Sequence, residues 1–84
     1  MTSLPAITGN QLIKLLKKDG WVEQRRARHG MALVKAKRGR LVTTIVPMRK
    51  KSLPSSLLSD ILGPQQTGIG RRGLQALIQK HGIK

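Results

Sequence analysis

The sequence contains no cysteine, tyrosine or phenylalanine, and Trp21 is its single aromatic residue. Without cysteine, neither a disulfide framework nor a cysteine-based zinc site can form, and a reducing cytoplasm is the expected location. Base-stacking domains of the OB-fold or RRM type need several exposed aromatic rings, which this chain does not have. We therefore expect Trp21 to lie in the hydrophobic core.

Acidic residues are also scarce. Asp19, Glu23 and Asp60 stand against 17 lysines and arginines, which gives a formal net charge of +14. Three scattered carboxylates are too few for a two-metal nuclease or a carboxylate pair, so no metal site and no cofactor are predicted. The positive charge favours a polyanionic partner: nucleic acid first, an acidic protein second and a membrane surface third.

Long apolar runs are absent as well. No stretch of the chain approaches the roughly 18 apolar residues of a membrane span, and residues 1–6 lack the charged and apolar regions of a signal peptide. With 84 residues, the chain fits one small domain, 1–84, in which residues 1–6 form a loose leader and residues 65–84 a C-terminal extension. The sequence thus predicts a soluble, unexported protein with no membrane partner.

Local patterns predict the element order α-β-β-β-α-α. Thr8 and Gln11 have the spacing of a capping box, which starts the first helix, and Gly20 ends it. The three strands and two later helices are predicted at residues 21–26, 31–37, 40–46, 57–62 and 71–81. Two adjacent hairpins make the strands an antiparallel meander, so the predicted class is α+β and double-stranded-RNA-binding-like.

The third strand leaves one question open. Leu41 and Ile45 lie on one face of it, and Val42 and Val46 lie on the other. Both faces are apolar, so the alternation does not show which face the helices cover.

His29 is the one histidine that sits among clustered cations, in residues 25–30. RNA is cleaved when its own 2′-hydroxyl attacks the adjacent phosphorus, which needs a proton acceptor and charge stabilisation at the phosphate. Histidine has the unperturbed pKa nearest neutrality, so His29 is the candidate catalytic base. On residues alone, an exposed turn histidine that only helps to bind phosphate is the favoured alternative, and His81 is assigned to the end of the last helix.

Seven basic residues around His29 and the second hairpin are candidate RNA contacts: Arg25, Arg26, Arg28, Lys35, Lys37, Arg38 and Arg40. Guanidinium groups can hold phosphates bidentately. For the four hairpin residues, a solvated hairpin tip is an equal alternative. The basic run at residues 49–51 is assigned to general electrostatics.

Residues 11–21, residues 25–30, the strand at 41–47 and the short helix at 57–62 together resemble HicA toxins. These are small mRNA interferases of toxin–antitoxin pairs, and the similarity spans about residues 8–63. In the family pattern Arg-x-x-Gly-Ser-His, Arg25 matches the arginine and His29 the catalytic histidine. Ala27 and Arg28 stand in place of Gly-Ser, and the spacing is one residue shorter.

The resemblance implies an endoribonuclease that acts on mRNA, with His29 as its catalytic group and a HicB-like antitoxin as its protein partner. A non-catalytic RNA- or DNA-binding module of the same fold is the alternative, because the same cations serve either role. An assembly protein whose charge docks an acidic partner is the third possibility.

Overall fold

The computed structural model describes residues 6–28, 30–64 and 66–82. In chain order the elements are α1 (Gly9–Lys18), β1 (Val22–Ala27), β2 (Gly30–Lys37), β3 (Arg40–Val46), α2 (Ser55–Leu62) and α3 (Gly70–His81). The α+β class and the α-β-β-β-α order with an added C-terminal helix are confirmed. No helix in the described ranges is long and apolar enough to cross a membrane. Of the predicted leader, residues 1–5 lie outside the described residues.

The capping box at the start of α1 is present as predicted. Thr8 Oγ1 accepts a hydrogen bond from the Gln11 backbone N–H at 3.1 Å, and Gln11 Oε1 accepts one from the Thr8 N–H at 3.0 Å. Two amide groups that the helix leaves without a partner are therefore satisfied. The buried face of α1 includes Leu12 and Leu16, neither of which is exposed to solvent.

Replacing Thr8 with alanine removes one of these hydrogen bonds and should lower the free energy of unfolding by about 1 kcal/mol. For a domain of this size, that corresponds to a fall in Tm of about 4–8 °C. Ser55→Ala is the matched control, because Ser55 is exposed in the first turn of α2 and no side chain caps that helix. Thermal unfolding followed by circular dichroism measures both, and equal shifts for the two variants would contradict the capping role.

The sheet is antiparallel in the order β1-β2-β3. Arg38 and Gly39 join β2 to β3 with φ values of 51° and 78°, and two consecutive positive φ values are typical of the type I′ turns that suit tight hairpins. Ala27, the last residue of β1, pairs with Gly30, the first residue of β2. The β1 register shifts between Glu23 and Arg25, so the strand carries a bulge there.

The structure shows which face of β3 the helices cover. Thr44 and Val46 are buried and Val42 packs against the core, whereas Leu41 and Ile45 are 74% and 45% exposed. Thr44 can be buried because its hydroxyl bonds to the Gln66 side chain at 2.6 Å, which offsets the cost of removing it from water. All three helices therefore lie on one side of the sheet, and no described helix covers the other side.

Trp21 lies in the core, as predicted, and is only 2% exposed. The core beneath the helices is aliphatic apart from this one ring. Its other members are Ile7, Leu12, Ile13, Leu15, Leu16, Leu33, Val46, Leu53, Leu58, Ile61, Leu62, Leu74 and Leu77. Leu74 and Leu77 come from α3, so the C-terminal helix is part of the same core as the sheet and α1.

Candidate nucleic-acid interface

A basic cleft lies at the end of the sheet where β1 turns into β2 and the chain leaves β3. Its lining residues are Arg26, Ala27, Arg28, Gly30, Pro47, Met48 and Arg49, and its volume is ≈ 580 Å³. The three arginines are exposed, so their guanidinium groups are accessible to a ligand. We call this site the three-arginine cleft.

Backbone packing brings Arg49 to the cleft. Pro47 follows β3 and passes between the start of α1 and the start of β2: a Cβ atom on Gly9 would collide with the Pro47 carbonyl oxygen, and a Cβ atom on Gly30 would lie 2.8 Å from Pro47 Cα. The Arg49 carbonyl then accepts a hydrogen bond from the Asn10 N–H at 3.3 Å. Segment 47–49 is therefore fixed on both sides, and only glycine at positions 9 and 30 leaves room for it.

Among the residues that the structure describes, no carboxylate lines the cleft. Asp19 Oδ2 lies 3.2 Å from Lys35 Nζ, and Glu23 Oε1 lies 3.0 Å from Lys17 Nζ. Asp60 is exposed on α2. The mutual repulsion of the three arginines is thus not compensated by an acidic side chain at the cleft, and a phosphate group would supply the missing negative charge through charge-assisted hydrogen bonds.

Two of the predicted RNA contacts, Arg26 and Arg28, line the cleft, and Arg25 does not. Arg25 is exposed on β1, paired with Ala32. His29, the predicted catalytic residue, lies outside the described residues. Its sequence neighbours Arg28 and Gly30 both line the cleft.

The other four predicted contacts lie at the opposite end of the β2–β3 hairpin. Lys37 pairs with Arg40 there, six residues along β2 from Met31 at the cleft end, which corresponds to about 20 Å. Arg38 and Arg40 are exposed at the tip. The structure therefore separates these cations from the three-arginine cleft, and their contact with RNA stays a prediction.

Two of those hairpin cations also make contacts within the fold. Lys35 Nζ donates to the Asp19 backbone carbonyl at 2.7 Å. Lys37 Nζ donates to the Thr67 carbonyl and lies 5.7 Å from the centre of the Trp21 ring, within the range of a cation–π interaction. Both side chains hold loops against the sheet, so their substitution would alter the fold as well as the surface charge.

Arg49 is the cleft arginine that the sequence did not single out. It belongs to the basic run 49–51, which has no motif that separates it from a solvated charge run. The one signal was Pro47, which ends β3 and so places Arg49 near the strand's exit. The approach of Pro47 to Gly9 and Gly30 is a tertiary contact that no local pattern shows.

Comparison of the chain with protein-family models, with curated proteins and with solved structures found no match. A functional proposal therefore depends on the chemistry of the cleft and on the sequence pattern around it.

Proposed function

We propose that the protein is a HicA-like mRNA interferase, the toxin of a toxin–antitoxin pair, which cleaves RNA in the cytoplasm without a metal ion. The observation that supports this most is the three-arginine cleft, in which Arg26, Arg28 and Arg49 meet without a carboxylate. The sequence places a histidine between two residues that line it. A HicB-like antitoxin is the proposed protein partner.

In the proposed reaction, the phosphate beside the scissile bond binds in the cleft and the arginines hold its oxygens. His29 takes the proton from the 2′-hydroxyl as that oxygen attacks phosphorus, and the bond from phosphorus to the 5′-oxygen breaks. The leaving 5′-oxygen takes a proton from water, and the products are a 2′,3′-cyclic phosphate and a free 5′-hydroxyl. The arginines stabilise the charge that builds up on the phosphate during the attack.

Incubation of the protein with mRNA in excess chelator tests this reaction. We expect cleavage to continue at an unchanged rate and to leave 2′,3′-cyclic phosphate ends. Loss of cleavage on chelation would contradict a metal-independent mechanism. RNA binding without any cleavage would instead favour the non-catalytic RNA-binding module. The exposed cations Arg38 and Arg40 at the hairpin tip would also serve that role.

Salt dependence tests the assignment of the cleft. If about five phosphates are neutralised, the log–log slope of single-stranded RNA affinity against salt is about −3.5. Arg28→Gln combined with Arg49→Gln should reduce that slope by about 1.4, because each lost phosphate contact contributes about 0.7. Fluorescence anisotropy over a series of salt concentrations measures it.

Lys50→Gln combined with Lys51→Gln is the matched control. It removes the same charge from exposed neighbouring positions that do not line the cleft. We expect a smaller change in slope from this pair than from the arginine pair. Equal changes would mean that RNA responds to net charge alone, and a flat response of the wild-type protein would rule out RNA as the polyanion.

A further inference from the structure

The two edges of the sheet differ in how they are protected from pairing with another strand. β1 carries a bulge between Glu23 and Arg25 and four consecutive charged or amide side chains at residues 23–26. Bulges and charges of this kind block edge-to-edge pairing. β3 pairs with β2 without interruption, and residues 41–46 contain no charge and no proline. β3 is therefore the unprotected edge.

The backbone of β3 is also available on its outer side. Within the described ranges, residues 41–46 make no backbone hydrogen bond to any loop, cap or turn outside the sheet. Every other peptide group of an edge strand points away from its neighbour. β3 therefore offers a row of backbone donors and acceptors to an added strand.

The side chains next to that edge suit a protein better than a nucleic acid. Leu41, Thr43 and Ile45 are exposed on the open face of the sheet. They provide neither the aromatic rings on which bases stack nor the cations that bind phosphates. β-Branched side chains of an adjacent strand would pack against them as cross-strand neighbours.

The charges around β3 indicate which kind of strand could pair with it. Arg38 and Arg40 precede the apolar part of β3, residues 49–51 are all basic, and no acidic residue occurs between Glu23 and Asp60. In antiparallel pairing of two β3 strands, the cations before one strand would face the cations after the other, and like charges repel. A strand with carboxylates at its ends would be attracted at both.

We propose that β3 binds an extended segment of an acidic protein as a fourth strand of the sheet. The segment has carboxylates at both ends and β-branched residues between them, so it matches β3 in backbone, apolar surface and charge. This inference depends on β3 alone and not on the proposed RNA cleavage. Either can fail without the other, because the test below measures peptide binding only.

A short fluorescent peptide with paired glutamates at each end and alternating valine and threonine between them is the probe. We expect it to bind the full chain in fluorescence anisotropy. A version that is N-methylated at every second residue should bind at least about tenfold more weakly, because strand addition depends on main-chain hydrogen bonds. An acidic peptide of equal length with serine and glycine in the middle should also bind at least about tenfold more weakly.

Thr43→Glu places a carboxylate in the middle of the exposed strand and should weaken binding of the probe by about tenfold or more. Val22→Glu is the matched control, since Val22 lies on the same sheet at the opposite edge and is 61% exposed. It changes the net charge equally and should weaken binding by less than about twofold. Circular dichroism confirms that both variants fold.

Three results would overturn the proposal. Equal binding of the unmodified and N-methylated peptides would show that the attraction is only electrostatic. Equal loss of binding in Thr43→Glu and Val22→Glu would show that β3 is not the contact. If the protein sediments as a dimer and Thr43→Glu abolishes that dimer, the β3 edge would instead bind a second copy of the chain.

Discussion

Replacing His29 with alanine should lower the rate of RNA cleavage at least about a hundredfold, because a positioned general base contributes about 10²–10⁴ to the rate. RNA affinity should change less than about threefold, since the proposed phosphate contacts are made by the arginines of the cleft. This split between rate and affinity separates catalysis from simple phosphate binding. Single-turnover cleavage in chelator measures the first quantity, and anisotropy measures the second.

His81→Ala is the control for that experiment. His81 is in the last turn of α3 and does not line the cleft, so its loss should leave both cleavage and binding unchanged. A His29→Ala protein that binds RNA normally and cleaves it at the wild-type rate would contradict the proposed role. A His29→Ala protein that loses affinity and cleavage in equal proportion would make position 29 a binding residue.

Replacing Gly30 with alanine should be among the most destabilising single changes in the chain. Gly30 has φ = 154°, a conformation that costs other residues about 1–3 kcal/mol. The added methyl group would also collide with the Val46 carbonyl oxygen, and overpacking of this kind costs about 1–3 kcal/mol more. Together these predict a loss of about 2–6 kcal/mol and a fall in Tm of at least about 8 °C.

Gly39→Ala separates the two causes. Gly39 also has a positive φ, 78°, but a Cβ atom there would meet nothing within 4 Å. Its loss should cost only the conformational part, about 1 kcal/mol. Thermal and denaturant unfolding of both variants provide the comparison, and equal destabilisation would show that the contact of Gly30 with the end of β3 is unimportant.

Much of the fold could be predicted because its signals are local. The capping box at Thr8 and Gln11 uses groups three residues apart, and the Arg38–Gly39 turn joins two adjacent strands. Strand β3 was predicted with its exact bounds because its β-branched residues occur without a competing helical pattern. Each of these interactions forms between residues that are close in sequence.

The exposed face of the sheet was not predictable, because its cause is not local. Thr44 faces the helices, where its hydroxyl donates a hydrogen bond to the side chain of Gln66, more than twenty residues later in the chain. The same alternation turns Lys35 and Lys37 toward Asp19 and Thr67. A count of basic residues treats these lysines like any others, and only the register of the sheet distinguishes them from Arg38 and Arg40.

The candidate site was predictable in part. Arg26 and Arg28 lie within three residues of His29, so the sequence analysis singled them out. Arg49 comes from another segment, and its place in the cleft depends on the space that Gly9 and Gly30 leave for Pro47. The only sign of this close backbone contact in the sequence is that positions 9 and 30 are glycines.

The passage of Pro47 between Gly9 and Gly30 also sets the order in which the cleft can assemble. The contact joins residues that are far apart in the chain, and contacts of large sequence separation form late in folding. During synthesis, a ribosome-bound chain that ends before residue 49 lacks Arg49, one of the three arginines that line the cleft. If RNA binds at the cleft as proposed, we expect binding only from a chain that extends past β3 to include Arg49.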